Sequence, residues 1–161
     1  MLFYGFGCWI GAVLTKLSPA EYRNGITKLT REIVNTVNVK TYNTMEVIFC
    51  NIKGIKYQLK VLDKGSMRNP QLINDTLDKT TKVTELITNT QINIDKLLNK
   101  FTFIETKLKT LPPLYVCEET LLTTIEEKKI TILLYKNWCD KMLKFLNKCL
   151  VDTYHIEDTH L

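Results

Sequence analysis

The feature that most limits what this chain can fold into is a long run of apolar residues at near-heptad spacing. Ile73, Leu77, Val83, Ile87, Ile94, Leu98, Phe101, Ile104, Leu108 and Leu111 follow one another with no internal proline until Pro112-Pro113. Steps of three and four place such residues on one side of an α-helix, and a proline pair ends it by removing donors and clashing with the preceding turn. At 1.5 Å per residue, a helix of about 42 residues would run about 63 Å. That exceeds the width of a compact domain of this size.

A second stripe follows the prolines. Leu121, Ile125, Ile132, Tyr135, Cys139, Met142, Leu146 and Cys149 keep the repeat, with one charged interruption at Lys128. Leu122, Leu134, Trp138 and Phe145 widen the stripe, so this helix is expected to touch more than one neighbour. The spacer between the stripes is only about five or six residues, which for two helices implies an antiparallel hairpin. Pairs at i and i+4, Asp75 with Lys79, Asp78 with Lys82 and Glu105 with Lys109, mark the solvent side.

Upstream, Ser18-Pro19-Ala20-Glu21 reads as a helix start: Ser18 caps, Pro19 takes the first helical position and Glu21 completes a capping box. Tyr22, Ile26, Leu29, Ile33 and Val37 then recur at helical steps. Between Val37 and Tyr42, Thr, Asn and Val weaken helix propensity without ending it. Next, Ile48, Ile52, Ile55, Leu59 and Leu62 step by four and three, yet Ile55, Tyr57, Leu59 and Val61 also alternate with polar residues, with Gly54 available for a turn. The expected class is mainly α, an elongated bundle with coiled-coil-like helices. The alternative is α+β with a β-hairpin at about 45–62.

Charge divides the chain. Residues 1–64 hold nine Lys/Arg against four Asp/Glu, an excess of five, whereas residues 65–161 hold thirteen of each. The break coincides with Gly65-Ser66-Met67, and Asn69 and Pro70 supply a fresh cap and first turn just beyond it. Gly-Ser-Met is also what a junction between two joined fragments looks like, so a fusion and a natural loop are both open readings. The organisation that results is an apolar segment 1–17, a basic helical segment 18–64, a linker 65–67, a helix hairpin 68–153 and a polar tail 154–161.

Little here reads as chemistry. The only histidines, His155 and His160, lie in the polar tail, five residues apart, a poor metal spacing. Glu118-Glu119 and Glu126-Glu127 sit where acids oppose a helix dipole rather than where they would share a proton. The five cysteines, Cys8, Cys50, Cys117, Cys139 and Cys149, are odd in number and lack the close pairs of zinc or redox motifs, so burial in a reducing compartment is expected. No P-loop, dinucleotide-binding glycine pattern, nucleophile elbow or H-E-x-x-H motif occurs. The expectation is a non-enzymatic protein with no cofactor, metal site or catalytic residue, in cytoplasm or nucleus.

Its expected role is that of an interaction or scaffold subunit, joining other helical subunits or copies of itself through amphipathic helices. The helix-packing or partner-interface residues this implies are Ile26, Leu29, Ile33, Ile48, Ile52, Ile55, Leu59, Ile94, Leu98, Phe101, Ile104, Leu108, Ile125, Ile132, Tyr135, Cys139, Met142 and Leu146. An alternative is membrane association through the uncharged run Leu2–Leu14, with Phe3, Tyr4, Phe6, Trp9 and Ile10 as contacts and Lys16, Arg23, Lys28 and Arg31 near anionic headgroups. That run is well short of the roughly 20 residues that cross a bilayer as a helix. A weaker alternative is nucleic-acid binding through Lys53, Lys56, Lys60 and Lys64, which share a helical face.

Overall fold

A computed structural model of the chain describes residues 18–63, 70–110 and 119–159, and these are helical almost throughout. We label the α-helices α1 (Pro19–Asn35), α2 (Tyr42–Asp63), α3 (Pro70–Thr110) and α4 (Glu119–Thr159); a π-helical segment, Thr36–Thr41, joins α1 to α2 without a break. The result is a mainly α helical bundle built from three continuous helical stretches, with no strand among the described residues. The segment Leu2–Leu14 and the linker 65–67 lie outside the described residues.

Helix α1 begins where the capping signature places it. Ser18 is extended at φ −68° and ψ 160°, its Oγ accepts the backbone N–H of Glu21 at 3.2 Å, and Pro19 occupies the first turn. Together these satisfy or remove orphan donors of the first turn. The β-hairpin alternative is not formed. Ile48, Ile52, Ile55 and Leu62 are buried while Tyr57 is 69% exposed, so the three-four period wins over the alternation that would have buried Tyr57 beside Ile55. Gly54, available for a hairpin turn, instead sits inside α2 and leaves room for Lys79 of α3: a Cβ there would lie 2.7 Å from the Lys79 Nζ.

The π segment has a cause in the burial pattern. Buried positions run Ile33, Val37, Thr41, Met45 and Ile48, three successive steps of four before a step of three. Steps of four overshoot a straight α-helix, so the buried positions would drift around the axis; a wider π turn absorbs the surplus. It falls in the Thr/Asn/Val stretch whose α propensity is weakest.

The described residues divide into two compact units. In the first, residues 18–40 pack with Asn93–Leu133, burying Tyr22, Ile26, Ile33, Val37, Ile94, Phe101, Ile104, Ile125 and Ile132. In the second, Thr41–Ile92 pack with 134–159, burying Ile48, Ile52, Ile55, Leu62, Ile73, Val83, Ile87, Cys139 and Leu146. Each such aliphatic contributes about 1.5–3 kcal/mol relative to exposure.

Candidate interaction face

Most of the residues expected from sequence at helix-packing or partner interfaces are inside the chain's own core. Ile26, Ile33, Ile48, Ile52, Ile55, Ile94, Phe101, Ile104, Leu108, Ile125, Ile132, Cys139 and Leu146 are buried, and Leu29, Leu59, Leu98, Tyr135 and Met142 are half-buried. In α3 the buried line is Ile73, Thr76, Thr80, Val83, Ile87, Thr90, Ile94, Leu97, Phe101, Ile104 and Leu108, an unbroken alternation of three and four. Leu97, not Leu98, holds the inner position. Counting only apolar residues missed Thr76, Thr80 and Thr90, which are admitted because each hydroxyl donates to the carbonyl four residues back, Leu72, Thr76 and Leu86, at 2.7, 2.7 and 2.8 Å. These buried stripes are covered within the chain.

The second unit also carries an exposed face of different composition. On α2, Phe49, Lys53, Lys56 and Lys60 recur at steps of four, three and four; on α4, Leu134, Trp138, Lys141, Phe145 and Lys148 recur at four, three, four and three. Two contacts place the rows side by side. The rings of Phe49 and Trp138 meet at a centroid distance of 6.4 Å, tilted by 49°, and the Lys56 ammonium lies 5.1 Å from the Phe145 ring centre. Within α2, Lys53 stands 4.6 Å over Phe49. Such cation–π contacts are worth about 0.5–1 kcal/mol at exposed sites and fix where the charges sit.

All five lysines on the face are exposed, Leu134 is 63% exposed and Phe49 47%, while Trp138 and Phe145 are half-buried. None of the five lysines forms an ion pair among the described residues. The acids flanking the rows in sequence are Glu46, one turn before Phe49, Asp63, one turn after Lys60, and Asp152, one turn after Lys148. Asp140 is engaged elsewhere, accepting a hydrogen bond from the Gln91 amide of α3 at 2.5 Å. The surface is therefore cationic and aromatic, with one exposed aliphatic at its edge. Lys64, the fourth lysine of the sequence-based basic set, lies outside the described residues, as do Phe3, Tyr4, Phe6, Trp9, Ile10 and Lys16. What the sequence concealed was Lys141 and Lys148 joining Lys53, Lys56 and Lys60.

The remaining surface of the described residues is plainer. An open groove of about 680 Å³ is lined by Arg23, Asn24, Thr27, Lys28, Arg31, Glu32 and Asn35, all from α1, with Glu32 offsetting part of its charge. Among the described residues no group of three or more His, Cys, Asp or Glu is placed to hold a metal ion, and no helix is long and apolar enough to cross a membrane. Of the expected i,i+4 ion pairs, Asp78–Lys82 forms at 3.0 Å and Glu105–Lys109 at 3.5 Å; Glu105 also meets Lys129 of α4 at 3.6 Å. Comparison with protein-family models, curated proteins and solved structures finds no match for this chain.

Proposed function

We propose that this protein is a non-enzymatic interaction or scaffold subunit that assembles with other helical proteins, adding a neighbouring helix to its bundle in coiled-coil fashion. The observation that carries the reading is the exposed apolar and aromatic part of the two-row face, Leu134 with Phe49, Trp138 and Phe145, beside a core the chain already covers for itself. Large aromatics and aliphatics gathered at the surface and rimmed by charge are what binding surfaces use. The free thiols Cys50, Cys139 and Cys149 fit a reducing, intracellular setting.

The test is site-specific photo-crosslinking in the cells that make the protein, with a photoreactive phenylalanine at Leu134 and, as control, at exposed Glu126 of α4. A discrete heavier adduct at 134 that is missing at 126 is the expected result. The same adducts at both positions, or none at 134, would overturn the proposal.

A further inference from the structure

The geometry points to an acidic amphipathic α-helix as the partner that seats on the α2–α4 face of the second unit. This rests on the interaction reading above and narrows it to a chemistry. On α2, Lys53 and Lys60 are seven residues apart; on α4, Lys141 and Lys148 are also seven apart. Seven residues of helix advance about 10.5 Å, so both rows present positive charge at the heptad repeat of a helix laid along them. A guest helix with Asp or Glu once per heptad on each flank meets a lysine at every repeat. Its apolar seam falls between the rows, on Phe49, Trp138 and Phe145, whose contacts define the floor.

One feature favours a helix over a single-stranded nucleic acid. Lys53 and Lys56 lie over the Phe49 and Phe145 rings, so these ring faces are already covered and do not offer the open stacking platform that bases need. Glu46, one turn before Phe49, and Asp152, one turn after Lys148, disfavour acids on a guest that overruns the face.

The experiment uses the full chain carrying Trp9→Phe, which leaves Trp138 as the sole tryptophan reporter. The probe is a synthetic helical peptide with Leu at three-four spacing and Glu once per heptad on both flanks. Saturable binding with a change in Trp138 emission is expected. Lys53→Gln, Lys60→Gln, Lys141→Gln and Lys148→Gln together should weaken it by about tenfold or more, because several exposed pairs are lost at once. Exposed lysines at these positions make misfolding a minor concern, and circular dichroism of the quadruple variant checks it. A peptide with Lys in place of Glu should bind the four-Gln chain no worse than the natural one. The inference falls if the acidic peptide does not bind, if the quadruple variant binds it equally well, or if a single-stranded oligonucleotide or anionic vesicles bind more tightly at the same salt. A crosslinked partner at Leu134 together with a silent peptide would leave the interaction reading standing and remove only the acidic helix.

Discussion

Cys139 and Cys149 show how a single residue type in a helical stripe is decided by burial. Both are buried, and Cys139 places its thiol 3.9 Å from the Met45 sulfur. Burial, with Asp140 as a lesser cause, pushes the Cys139 thiol from an ordinary 9.0 up to about 11. Burial, then Asp152, does the same for Cys149, to about 11, against smaller opposing effects that include Lys148 and Lys56. The folded state thus holds both thiols protonated over a range in which the unfolded chain ionises them. Their contribution to stability is complete below pH 9 and is lost as pH rises from about 9 to about 11. Denaturation midpoints measured from pH 8 to 11 should fall more steeply for the natural chain than for Cys139→Ala/Cys149→Ala. Parallel slopes would show that these thiols are not shielded. Sequence reading placed both cysteines on the stripe correctly but did not see the buried threonines. Thr30 and Thr153, like those of α3, hide a hydroxyl by donating to the carbonyl four residues back, at 2.8 and 2.7 Å. A hydroxyl that satisfies itself in this way gives a hydropathy count nothing to detect.

At the scale of the helix, existence was legible and phase was not. Ser18, Pro19 and the run of stepped aliphatics located the elements, because caps and periodicity are local. The phase of α3 depends on its packing partners, and adjacent Leu97 and Leu98 satisfy the apolar pattern almost equally from sequence. The structure puts Leu97 at 7% exposure and leaves Leu98 half-buried. Leu97→Ala should therefore cost about 2–5 kcal/mol, and Leu98→Ala at least about 1 kcal/mol less, since its site is already partly open to water. Urea denaturation of the two variants checks the order; a larger loss at Leu98 would mean the seam is turned by one residue. The π segment Thr36–Thr41 was likewise visible only as weakened propensity. Its reason, the three steps of four from Ile33 to Met45, emerges once Thr41 is known to be buried.

For the whole molecule, the charge division seen in sequence takes on a different meaning. A basic excess confined to residues 1–64 would by itself draw an anionic partner to the first segment. The second unit instead combines Lys53, Lys56 and Lys60 from that segment with Lys141 and Lys148 from the electrically balanced one. Net charge summed along a chain cannot report which lysines fold into neighbouring rows. In the proposed function, one chain covers its own helical seams and keeps a separate face for partners. Light scattering after size exclusion, with thermal unfolding from about one to about a hundred micromolar, tests this most directly. The expected result is a mass of 18.7 kDa and a melting temperature that does not move with concentration. A mass at a multiple of 18.7 kDa, with a melting temperature that climbs with concentration, would mean that the seams close only between chains and would contradict the account.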